Sequence, residues 1–90
     1  MSPTDARGWR YFWHERGERE LATLLAEAWP PARGGDATRI ATLLGSRASA
    51  GALAKELRRM RAEHGEPAND AEDADVGARV SAWFLEAAAA

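Results

Sequence analysis

The stretch DATRIATLLGSRASAGALAKELRRMRAEHG, residues 36–65, holds two short amphipathic segments separated by a few small residues, and the second carries a ridge of Arg and Lys. Ile40, Leu43 and Leu44 recur at helical spacing in the first segment and Leu53, Leu57 and Met60 in the second, so each is expected to form a helix with one buried stripe. Asp36 is placed to cap a helix over about 37–44, and Gly45 to end it as a left-handed C-cap. Ser46 to Ala48 then make a turn, Ser49 caps the next helix, and Gly65 ends it, so that the pair spans about 37–64. With Leu53 set at 0° and roughly 100° added per residue, Leu57 and Met60 fall within about 40° of it, while Lys55, Arg58 and Arg59 fall at roughly 140° to 240°. The ridge is therefore expected on the exposed face. Arg47 lies in the turn before it and Arg39 on the preceding helix, which places these cations on one side of the pair.

Upstream, SPTD at residues 2–5 reads as a helix start, with Ser2 as cap, Pro3 in the first helical position and Asp5 reaching back. From there Trp9, Phe12, Trp13, Gly17, Leu21, Leu24, Leu25 and Ala28 recur at three- and four-residue spacing, which predicts one long helix over about 3–28. Gly8 and Gly17 weaken it, and a bend near Gly17 is allowed. The WPP at residues 29–31 ends it, because proline pushes the preceding residue out of the helical region. Downstream, residues 65–72 form an acidic linker. Asn69 with Glu72 offers a capping pair, and Val76, Val80, Trp83 and Phe84 predict a last helix over about 70–87. The acids Asp70, Glu72, Asp73 and Asp75 crowd its first turn, where the helix dipole favours them.

Composition supports the same class. Leu and Ala dominate the apolar residues, against two Val (Val76, Val80) and one Ile (Ile40), which favours helix over sheet. A chain of 90 residues has room for one core, so a single domain over 1–90 is expected: all-α, four helices, with the second and third forming a helix-turn-helix-like pair. The absence of cysteine excludes disulfides, thiolate metal sites and a thiol nucleophile. No apolar run reaches the roughly 18 residues of a membrane span and no signal-like segment follows Met1, so a cytoplasmic protein without membrane contact is expected. The net charge of −2 conceals a strong asymmetry. Residues 1–32 hold four Arg against five acids, residues 33–62 seven bases against two acids, and residues 63–90 one Arg against seven acids. Eleven of the twelve bases are Arg, the better fork for phosphate and carboxylate. The Ala, Arg and Gly content suits a GC-rich genome.

The segment from Ile40 to Gly45 (IATLLG), followed by a turn and the basic helix, resembles a helix-turn-helix DNA-binding unit. Ala41 stands at the tight helix crossing and Gly45 opens the turn. The resemblance implies that the second helix lies in the major groove and that both helices touch phosphates, with any sequence readout resting on Arg47, Lys55, Arg58 or Arg59, or on shape. SAGALAKELRRM (49–60) is also similar to winged-helix tails of some phage and plasmid replication proteins. Where the family has a branched apolar residue six positions after its glycine this chain has Gly51, and the apolar register resumes at Leu53, which implies a turn about two residues longer. The leading positions Ala50, Gly51 and Ala52 cannot read base edges by hydrogen bonding. Under this reading Arg39, Arg47, Lys55, Arg58 and Arg59 contact double-stranded DNA, in a transcription regulator or accessory factor that acts as a dimer. The plainer reading makes the ridge a solvated face, with Arg59 paired to Glu63 and cations complementing the helix's negative end.

Four Trp in so short a chain are expected to fill a core poor in other large residues, or to lie at a partner interface. Tyr11 is expected to project opposite the Trp stripe and to be the exposed aromatic. The alternative function is accordingly a protein-binding module or inhibitor that docks a basic partner through Tyr11, Trp13, Asp70, Glu72 and Asp73. HERGE (14–18) has Glu18 where a zinc-protease helix has its second histidine, and His64 is expected to serve the carbonyl end of its own helix, so neither metal nor cofactor is expected. GGDATR lacks the lysine of a phosphate loop, and Ser46 and Ser49 have no local base. No enzymatic activity is expected.

Overall fold

The computed structural model describes residues 16–89, with side chains to residue 87. Among these residues it holds four α-helices and no strand: α1 (Glu18–Ala28), α2 (Asp36–Gly45), α3 (Ala50–Glu63) and α4 (Asp70–Ala89). The expected helix start at Ser2–Asp5, the stripe Trp9, Phe12 and Trp13, and Tyr11 and His14 lie outside the described residues. The all-α class agrees with the sequence reading. The core is formed by Leu21 and Leu25 of α1, Ile40, Ala41 and Leu44 of α2, Leu53, Leu57 and Met60 of α3, and Val76 and Val80 of α4. Trp29, just past α1, is fully buried among them.

The helix ends follow from local chemistry, with two departures from expectation. Asp36 is the first residue of α2 and not its cap. The cap is Gly35, at a left-handed φ of 94°, and the Asp36 carboxylate turns back to accept the Arg33 N–H at 2.8 Å. Gly45 is the last helical residue of α2, and the left-handed position falls on Arg47, at φ 58°. There the Arg47 N–H donates to Leu44 O at 3.0 Å and the Ala48 N–H to Leu43 O at 3.0 Å, which closes the helix with a paired reverse bond. The same device ends α3 with the residue better suited to it: Gly65 (φ 74°) donates to Ala62 O and Glu66 to Arg61 O. Ser49 caps α3 by accepting the Ala52 N–H at 3.1 Å, and Asn69 caps α4 by accepting the Glu72 N–H at 3.1 Å.

α3 and α4 pack closest where α4 has no side chain. A Cβ on Gly77 would stand 2.9 Å from Ala50 O and 3.1 Å from Ala54 N, so the two backbones nearly touch. A polar cluster locks the opposite end of this pair. Asp73 of α4, 1% exposed, accepts Trp29 Nε1–H at 2.9 Å and Arg61 Nε and Nη2 at 3.0 and 2.8 Å. Arg61, 6% exposed, also donates to Glu72 at 2.6 Å and lies 5.6 Å over the Trp29 ring. The Asp73 carboxylate beside it, then Glu72, raises the guanidinium's affinity for its proton, so the buried cation stays charged. His64 completes the cluster. Its ring stands 6.3 Å from Trp29 and its Nε2 2.9 Å from the Asp36 carboxylate, while its carbonyl accepts Arg33 Nη2 at 3.3 Å. The expected service of His64 to its own helix end is thus replaced by a tie to α2.

Two stability predictions follow from this packing. Asp73→Ala leaves Arg61 buried without its main counter-charge and should lower unfolding free energy by about 3–5 kcal/mol, whereas Asp73→Leu combined with Arg61→Met should recover at least half of that in urea titrations. Gly77→Ala should cost about 1–2 kcal/mol net, because the clash with the Ala50 carbonyl outweighs the roughly 1 kcal/mol gained in helix propensity. An unchanged urea midpoint for Gly77→Ala would show that α3 and α4 part without cost.

Candidate nucleic-acid interface

The turn between α2 and α3 comprises residues 46–49, and α3 runs between α2 on one side and α4 on the other. On the α3 wheel, with Leu53 at 0°, Ala50, Ala54 and Arg61 fall at roughly 60° to 100° and Glu56 and Glu63 at roughly 280° to 300°. The first set meets α4, through Gly77 and Asp73, and the second meets α2, through Arg39. Between the two flanks remains a strip of about 100° that carries Gly51, Lys55, Arg58 and Arg59, all exposed.

The five cations proposed from sequence divide into two kinds. Arg39 is a brace. Its guanidinium donates to Glu63 at 2.6 and 3.1 Å and to Glu56 at 3.1 Å, spanning α2 and α3. Glu63 in the first place, then Glu56, raises its proton affinity, and Arg39 in turn holds the Glu63 carboxyl below the usual carboxylate range. Glu63 therefore pairs with Arg39, not with Arg59 as its spacing suggested. Arg59 instead donates to Glu56 at 2.8 Å, one turn back. Arg58 stands 3.7 Å from Asp70 of α4, with both side chains 69% exposed. Lys55 is exposed and has no carboxylate within ion-pair reach among the described residues. Arg47 is exposed in the turn, in its left-handed conformation.

The proposed partner-binding residues are likewise separated. Tyr11 and Trp13 lie outside the described residues. Asp70 is exposed, Glu72 is half-buried against Arg61, and Asp73 is buried. Asp73 is thus withdrawn from any partner surface, because its carboxylate is fully engaged by Trp29 and Arg61. The sequence reading missed Arg61 as an internal residue. A wheel on α4 offered the signal: with Val76 at 0°, Asp73 falls at roughly 60° and Val80 at roughly 40°, so an acid sits on the apolar stripe and demands a buried partner. Among the described residues no three His, Cys, Asp or Glu side chains gather as a metal site, and no helix is long and apolar enough to cross a membrane.

Compared with family models, curated proteins and solved structures, the chain finds no match.

The Arg39 brace makes a checkable statement about Glu63. Because its carboxyl is held low in the folded protein, the pair adds stability above the ordinary carboxylate range and loses it as pH falls through the lowered value. Arg39→Ala should return the Glu63 carboxyl upward to its ordinary range in an NMR pH titration. A Glu63 midpoint unmoved by the substitution would remove Arg39 as the cause.

Proposed function

We propose that the chain is a small DNA-associated accessory factor or regulator that contacts duplex phosphates through the outer face of α3 and the turn before it. The observation that carries this reading is the exposed strip of Lys55, Arg58 and Arg59, which follows directly on a turn bearing exposed Arg47. Arg39 has no part in it, since its fork is committed to Glu56 and Glu63. Of the remaining ties Arg58–Asp70 is the weak one, while Arg59 holds the more buried Glu56 at 2.8 Å. Exposed ion pairs such as Arg58–Asp70 are typically worth ~0.2–1 kcal/mol, whereas contact with a duplex phosphate also releases a condensed counterion. A phosphate arriving at the strip can therefore displace Asp70. We assign the chain no reaction, since the strip carries cations and no nucleophile with a base beside it.

A second reading rests on a different surface. Leu85 on α4 is 61% exposed beside half-buried Trp83 and Phe84, which suits a protein-binding module. The two readings separate by titration. Fluorescence anisotropy of a labelled duplex should show binding at about 50 mM salt that weakens steeply towards 200 mM, and Lys55→Ala/Arg58→Ala should weaken it further with helix content unchanged by circular dichroism. Absence of binding at low salt would overturn the DNA reading.

A further inference from the structure

The geometry points to a DNA contact confined to the phosphate backbone and indifferent to base sequence; this rests on the DNA reading above and narrows its ligand. A helix that reads bases must enter the major groove, which is about 12 Å wide and so admits one helix of about 10–12 Å diameter. α3 has no such freedom. Gly77 of α4 abuts its first turns at Ala50 and Ala54, and Arg39 of α2 clasps its other side at Glu56 and Glu63. α3 is the middle of three adjoining helices, with only a shallow crest facing outward.

Charge leads to the same limit. The groove is walled by two rows of phosphates, and both flanks of α3 carry carboxylates: Asp70 on the α4 side, Glu56 and Glu63 on the α2 side. Deeper insertion would bring these acids against the walls. Contact along the crest brings only Lys55, Arg58 and Arg59, with Arg47 at the end of the turn, towards phosphate. Of the first turn of α3 only Gly51 faces outward, since Ala50 packs against Gly77 of α4, and Gly51 has neither donor nor acceptor beyond the backbone. Phosphate contacts position a protein but carry no sequence information directly.

The size of the footprint sets the expected numbers. Neutralising three to four phosphates gives a salt slope of roughly −2.7 to −3.6, so affinity should fall about 40- to 150-fold between 50 and 200 mM salt. The experiment titrates the full chain into two labelled 20-base-pair duplexes of unrelated sequence, one A·T-rich and one G·C-rich, at both salts, and runs a selection from a pool of random duplexes alongside. The expected result is affinities within about threefold of each other, the same salt slope for both, an equal loss on each with Lys55→Ala/Arg58→Ala, and a selected pool that stays random. A preference above about twentyfold, or a motif enriched from the pool, would overturn the inference while leaving DNA contact standing. Failure of both duplexes to bind at 50 mM salt would overturn the DNA reading itself and this inference with it.

Discussion

A single buried carboxylate organises this small protein. Asp73 accepts from Trp29 at the exit of α1 and from Arg61 near the end of α3, so one side chain of α4 fixes three elements at once. The arrangement tolerates burial because every partner is present. Arg61 donates to Glu72 and Asp73 and stacks over Trp29, and among the described residues no buried side-chain nitrogen or oxygen lacks a hydrogen-bond partner. Apolar packing alone would let α4 slide on α3, since its core contribution is only Val76 and Val80 with the half-buried Trp83 and Phe84. The ion pair fixes the register, and with that register Gly77 arrives opposite Ala50 and Ala54.

The same sorting of charges decides what the surface offers. The basic middle third of the chain is not a uniform patch. Arg61 is consumed inside, Arg39 is consumed in bracing α2 to α3, and Arg33 ties the loop before α2 to His64. What remains outward is a narrow row on α3, edged by acids that belong to its neighbours. This reconciles an overall acidic chain with a cationic strip: part of the acid in the last third, Glu72 and Asp73, is spent on holding α4 in place.

The helices of the central pair were legible in the sequence because Ile40, Leu44, Leu53, Leu57 and Met60 repeat at helical spacing and all prove buried. Ser49, Gly65 and Asn69 also do what their residue types suggest. The misreadings share a cause, which is that spacing along one helix says nothing about a competing partner on another. Glu63 had Arg59 at four residues but found the fork of Arg39, and His64 had its own carbonyls but found Asp36. Arg47 takes the left-handed position although Gly45 stands two residues earlier, because α2 runs on to Gly45 before its closing bonds form. The candidate site was therefore half visible. The exposed row on α3 follows from the wheel, while the loss of Arg39 and Asp73 from the surface follows only from tertiary pairing.

The closeness of α3 and α4 in sequence has a consequence for how the chain reaches this state. They are joined by residues 64–69 alone, and that connection is held at one end by left-handed Gly65 and at the other by the Asn69 cap. Contacts between them span short stretches of chain, so little loop entropy opposes their meeting, and topologies rich in such contacts fold fast. Within this hairpin Arg61 and Asp73 meet across 12 residues, whereas the bond of the Trp29 indole to Asp73 bridges 44. The buried cluster thus joins two scales of contact: a local hairpin tied through Arg61 and Asp73, and a distant latch supplied by Trp29 from the exit of α1.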